Sequence, residues 1–299
     1  MVPDSTEIVR LWPGTPPGGA GVRLTLQVAE RSPTPQLFQD RAATGIGEPI
    51  LTVYRPQKPD GSAVLLAPGG GYARVVVDKE GIETALLLNQ HGVTAFILRY
   101  RLPSEGWANG ADVSLQDAQR AMRLIRAHAK DYGIDPARLG VLGFSAGGHV
   151  GASLATRFAA PVYAPIDAAD NLDAKPAYAG LLYPVITMLA PYTETASRDA
   201  LLGKDAAPDR LQAYSCQNMV TGSEPPCFLC VAADDQTIPV ENTLLMNAAL
   251  RAKSVPTELH VFETGGHGFG IRLAQGNPCS IWPALFLRWG AKRGFFGAI

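Results

Sequence analysis

Short, uninterrupted apolar runs recur along the chain and alternate with longer stretches in which apolar residues return every three or four positions. The runs 63–67, 94–98, 139–143, 178–185 and 226–233 have the length of strands, and 257–262 reads as a further strand. A strand that is apolar on both faces is covered on both faces, as happens in a parallel sheet. Helical spacing predicts helices over about 79–91, stopped by Gly92, over 240–253 and over 281–292. A further helix is expected to open at Ser114-Leu-Gln-Asp117, which resembles a capping box. It runs through Ala118, Ala121, Met122, Ile125, Ala129 and Tyr132 to a stop at Gly133. Residues 22–28 and 49–54 read as two earlier, antiparallel strands, and Asp60-Gly61 as the turn into the next one. Strands alternating with helices of this length are βαβ units. The expected fold is therefore α/β, a central mostly parallel sheet flanked by helices on both faces, in one domain over 1–299. Residues 1–21, rich in Pro and Gly, read as an N-terminal arm. Residues 186–225 read as an irregular insertion near the mouth of a site, with a short helix close to 198–202.

Composition narrows the class. Of 299 residues, 46% are hydrophobic, enough for a full core, and 26 Lys+Arg balance 27 Asp+Glu. No basic run or stripe is present, which argues against a nucleic-acid partner. No apolar stretch approaches the ~20 residues of a membrane span. Residues 1–10 have neither a basic nor an apolar region of the kind a signal peptide carries. Cys227-Phe-Leu-Cys230 has the spacing of half a zinc site, but no second Cys or His pair accompanies it. On a strand, positions three apart face opposite sides, so these read as buried thiols. No metal and no cofactor is expected. Cys216 and Cys279 are the pair considered for a disulfide in an oxidising compartment.

The chemistry concentrates where a strand meets a small-residue helix. Gly143-Phe-Ser-Ala-Gly-Gly148 follows the run 139–143 and contains G-x-S-x-G, the nucleophile elbow. A serine hydroxyl is a weak nucleophile at neutral pH and needs a base, which in turn needs a group to orient it. Of five histidines, His91 reads as a helix end, His128 as solvated, His149 as packed on the elbow helix and His260 as part of a strand. His267 alone lies in a glycine-rich loop, Gly265-Gly-His-Gly-Phe-Gly270, directly after the last strand. It is the expected base for Ser145. Asp234 and Asp235, at the end of the run 226–233, are the two candidates for the orienting carboxylate. Pro68-Gly-Gly-Gly71-Tyr72 follows the strand 63–67 and stands where an oxyanion loop belongs, with Pro68 in place of His in the HGGG pattern. Gly70, Gly71 and Ala146 are the expected backbone donors.

Together with Leu11-Trp-Pro-Gly14, Asp78-Lys-Glu-Gly81, Tyr100-Arg-Leu102 and Leu201-Leu-Gly203, these motifs make the chain resemble the bacterial α/β-hydrolases known as acetylxylan esterases or carbohydrate esterases, of BD-FAE-like type. The likeness covers nearly the whole chain. It implies removal of acetyl groups from plant-polysaccharide sugars and, often, export to the periplasm or beyond. It also favours Asp235, in Asp-x-x-Ile-Pro, over Asp234 as the acid. The implied partner is a small-molecule or oligosaccharide ester. Tyr72, Trp107 and Tyr192 offer flat faces for sugar rings, or else core and rim packing. Feruloyl or general carboxylesterase action, exopeptidase action and a non-catalytic binding role are the competing readings. An intact Ser, Asp and His set argues against the last of these.

Overall fold

The apolar runs become the interior of an eight-stranded sheet. The structure, a computed structural model, describes residues 4–298. The strands, in chain order, are β1 (Ile8–Arg10), β2 (Gln27–Glu30), β3 (Arg41–Thr44), β4 (Ile50–Tyr54), β5 (Ala63–Ala67), β6 (Val75–Val76), β7 (Thr94–Arg99), β8 (Leu139–Phe144), β9 (Ala179–Leu182), β10 (Cys227–Ala232) and β11 (Thr257–Phe262). The large sheet has the order β1-β4-β7-β5-β8-β9-β10-β11. Its strands from β7 to β11 pair in parallel, while β4 and then β1 add antiparallel at one edge. β2, β3 and β6 form a separate antiparallel sheet.

The helices are α1 (Glu83–Gln90), α2 (Gly110–Ala127), α3 (Ala129–Tyr132), α4 (Ala146–Arg157), α5 (Thr195–Leu202), α6 (Pro208–Ala213), α7 (Glu241–Ala252) and α8 (Trp282–Lys292). Apolar side chains of α2, α4 and α7, such as Met122, Val150 and Met246, cover one face of the large sheet. Leu88 of α1 and Trp282, Phe286 and Trp289 of α8 cover the other. Each buried strand sends alternate residues to the two layers: Ala63 and Leu65 join the first, Val64 and Leu66 the second. This is the doubly covered α/β arrangement that the runs imply.

Several boundaries differ from the expectation. The strand expected over 22–28 is confined to Gln27–Glu30, exposed along its length and in the small sheet. Within the arm, Ile8–Arg10 pairs with β4, a strand too short for periodicity to reveal. The helix expected to open at Ser114 begins at Gly110, after Asn109 in the left-handed region at φ 56°. Ser114 is buried and its hydroxyl donates to the Arg101 carbonyl, so it caps nothing. Asp117 is also buried and serves as the counter-ion of Arg101. The helix expected from residue 79 opens as a π-turn, Asp78–Ile82, before α1. The Cys216–Cys279 pairing does not form: both thiols are free, and they lie in the core layers on opposite faces of the sheet. Cys227 and Cys230 are likewise free and buried, one in each layer.

Candidate active site

Parallel strands deliver their C-terminal ends to one edge, and four of them carry site residues there. β5 leads into the glycine loop at Pro68, β8 into Ser145, β10 into Asp235, and β11 into the loop of His267. This is the edge at which open α/β sheets place their sites.

Ser145 links β8 to α4 at φ 53° and ψ −121°, a conformation that L-residues rarely adopt and that costs about 1–3 kcal/mol. Its neighbours make the turn possible. A Cβ on Gly147 would lie 2.0 Å from the carbonyl oxygen of Ala67, and one on Gly143 would lie 2.3 Å from that of Gly147. Only glycine fits at both places. The elbow is also pinned to the next strand connection. The Ser145 amide donates to the Leu182 carbonyl at 3.0 Å, and the Val185 amide donates to the Ser145 carbonyl at 3.0 Å.

The Ser145 hydroxyl lies 2.9 Å from Nε2 of His267, and Nδ1 of His267 lies 2.7 Å from Oδ2 of Asp235. Asp235 cannot swing away, because its Oδ1 accepts the amides of Thr237 at 2.8 Å and Ile238 at 2.9 Å. A carboxylate can only accept, so Nδ1 carries the ring proton and Nε2 faces the serine as an acceptor. Asp234, the other candidate, holds the loop instead: its Oδ1 accepts the Gly266 amide at 2.8 Å.

The glycine loop is built to leave N–H groups free. Gly70 has φ 134°, Gly71 φ 65° and Tyr72 φ 58°. The Gly70 carbonyl turns back to accept from Ala73 and Arg74, while the Gly69 amide donates to Glu80 at 2.7 Å. The amides of Gly70 and Gly71 have no acceptor among the described residues. Ala146 opens α4, where the first N–H groups have no partner within the helix.

Ser145, His267, Gly70 and Gly71 line a cleft of about 330 Å³ together with Arg74, Lys79, Glu80, Glu194 and Ser197. Glu194 caps α5, and so segment 186–225 supplies part of the wall. The three aromatic residues considered for sugar contact take other places. Tyr72 is buried and gives its hydroxyl to Nδ1 of His149 at 2.7 Å. Trp107 is buried with its ring 4.9 Å from the Arg101 guanidinium carbon. Both are packing residues: the Arg101 guanidinium covers the Trp107 face, and His149 takes the Tyr72 hydroxyl. Tyr192 is 38% exposed but lies outside the residues lining the cleft.

His149, one turn after Ser145, is a second constrained imidazole. Its Nε2 lies 2.8 Å from the Tyr214 carbonyl, which can only accept, so the proton sits on Nε2 and Tyr72 donates to Nδ1. Burial lowers its pKa to about 4. The unfolded chain takes up this proton near pH 6.5. Between those values the unfolded state binds more protons, so stability falls as pH drops from about 6.5 to 4. We expect a loss on the order of 3 kcal/mol from this group. Urea unfolding at pH 7, 5.5 and 4 measures it, and His149→Gln should flatten the slope. An unchanged slope would show that other groups carry the acid sensitivity.

Sheet order, the strained elbow and the line of three side chains together define an α/β-hydrolase. Residues 51–250 match the BD-FAE family, and the chain belongs to it. The chain is 30% identical over 229 residues to an acetylxylan esterase of Xylanibacter ruminicola, covering 75% of this chain and 44% of that protein. It is 36% identical over 214 residues to endo-1,4-beta-xylanase B of Butyrivibrio fibrisolvens, covering 70% of this chain and 32% of that one. This chain thus spans less than half the length of either relative. A crystal structure of an acetyl ester-xyloside bifunctional hydrolase from Caldicellulosiruptor lactoaceticus superposes with a TM-score of 0.79 at 32% identity, covering 98% of both chains.

Proposed function

We propose that the protein is a serine esterase that removes short acyl groups, acetyl above all, from sugar hydroxyls of the kind found in xylan. The observation that carries the reading is the unbroken hydrogen-bonded line from Ser145 through His267 to an immobilised Asp235. The names of the acetylxylan esterase relative and the acetyl ester-xyloside hydrolase support the acetyl-sugar class.

In this mechanism Ser145 Oγ attacks the acetyl carbonyl while Nε2 of His267 takes its proton. The carbonyl oxygen becomes an oxyanion facing the amides of Ala146, Gly70 and Gly71. Asp235 stabilises the imidazolium without accepting its proton. Collapse breaks the bond to the sugar oxygen, which leaves with the proton from His267. Water, activated by the same imidazole, then attacks the acetyl-serine and releases acetate.

A cleft of about 330 Å³ that also holds charged side chains suits an acetyl group better than a long chain. We expect kcat/KM for 4-nitrophenyl acetate to exceed that for 4-nitrophenyl octanoate by roughly tenfold or more. Acetate should be released from acetylated xylan by the same preparation. Preference for the octanoate, or for a feruloyl ester, would overturn the acyl assignment. Turnover of amino-acid anilides instead of esters would overturn the esterase.

A further inference from the structure

Glu80 is a buried carboxylate that the proposed chemistry leaves without a role. It stands in the π-turn at the start of α1, 3% exposed, with no Lys, Arg or His in salt-bridge contact among the described residues. A buried carboxylate is costly unless its oxygens are fully used. Its two oxygens serve two different loops. Oε2 accepts the Gly69 amide at 2.7 Å, in the loop that carries Gly70 and Gly71. Oε1 accepts the Tyr183 hydroxyl at 3.1 Å. That hydroxyl in turn accepts the Gly270 amide at 3.1 Å, three residues beyond His267.

Tyr183 itself is held in place. It directly follows β9 at φ 36°, and its ring packs edge-on against His267 at 5.1 Å and Phe269 at 4.6 Å between centroids. Burial raises its pKa well above the ordinary value, so the hydroxyl stays protonated and donates. The far end of the loop is fixed too, because Trp282 Nε1 donates to the Gly270 carbonyl at 2.7 Å. Gly69 touches the nucleophile: a Cβ there would lie 2.8 Å from Glu80 Oε2 and 2.9 Å from Cβ of Ser145.

We propose that Glu80 is a positioning residue whose single carboxylate holds the oxyanion loop and the histidine loop in register around Ser145. The inference rests on the esterase reading. Glu80 borders the cleft, but with 3% exposure and both oxygens engaged it acts through the two loops and transfers no proton. Its effect is on geometry, and a displacement of about 1 Å at such a site costs up to about 100-fold in rate.

Glu80→Gln keeps size and shape but offers an acceptor to only one of the two loops. With 4-nitrophenyl acetate we expect kcat to fall roughly 10- to 100-fold while KM stays within about twofold. Tyr183→Phe removes the relay to Gly270, and its kcat should also fall with KM retained. The double variant should be no slower than the slower single one, since both cut the same connection. A folded Glu80→Gln protein with wild-type kcat overturns the proposal. So do two single effects that multiply independently. Should Glu80→Gln not fold, Tyr183→Phe decides alone: unchanged kcat rejects the relay, and a fall in kcat at constant KM supports it. Wild-type turnover and its loss in Ser145→Ala are measured in parallel. Their failure rejects the esterase itself, whereas an active wild type beside an unaffected Glu80→Gln rejects only the role of Glu80.

Discussion

Replacing Ser145 by alanine is expected to lower ester turnover by at least about four orders of magnitude and to leave the protein folded. The size of the effect follows from what is removed. The hydroxyl is the only group at the elbow that can form the acyl-enzyme, and His267 without it has no proton to take from a nucleophile. What survives is the contribution of the oxyanion donors and of binding, about 10³-fold over water. The fold survives because alanine deletes one oxygen whose hydrogen bond is to His267. Steady-state hydrolysis of 4-nitrophenyl acetate, with circular dichroism on the same sample, provides the check. A rate within tenfold of wild type would mean that a different group attacks the ester.

The second large effect concerns stability. Asp117 and Arg101 form an ion pair whose side chains are 0% exposed. Asp117 also accepts the Trp12 indole N–H at 2.8 Å and the Arg101 amide at 2.8 Å. The guanidinium reaches on to the Pro17 carbonyl, which ties the N-terminal arm to α2. Asp117→Ala leaves a buried guanidinium with no anion and an indole with no acceptor. Breaking such a pair from one side costs about 3–5 kcal/mol, a large part of a total stability of about 5–15 kcal/mol. We expect the melting temperature to fall by roughly 5–8 °C. Arg101→Met in the same protein should recover part of the loss, because it removes the stranded charge. A melting temperature unchanged in Asp117→Ala would show that the pair contributes nothing net.

The central strands β5, β7, β8, β9 and β10 were legible because burial on both faces leaves continuous apolar runs, as in 63–67 and 139–144. Ser145 and His267 stand out because the elbow and the glycine-rich loop need unusual residues locally. Asp235 was separable from Asp234 only through resemblance, since both end the same strand and only the three-dimensional turn decides which one reaches the imidazole. The capping-box reading of Ser114 and Asp117 failed because a polar pair inside a helix looks the same whether it faces water or a buried arginine. Tyr72 misled for a related reason. An aromatic residue beside a glycine loop suggests a platform, and only long-range packing reveals that His149 takes its hydroxyl. Glu80 entered only within the motif Asp78-Lys-Glu-Gly81 and without a role of its own, because a glutamate near a helix start is ordinarily solvated and its partners are distant in sequence.

The two backbone bonds that bracket Ser145, to Leu182 and from Val185, carry one more consequence. They anchor the main chain at this position whatever side chain it bears, so the peptide cannot relax when the hydroxyl is deleted. An inert alanine form should therefore keep the shape of the working protein. It offers a trap in which candidate esters, acetylated oligosaccharides among them, can be soaked and tested for binding without cleavage.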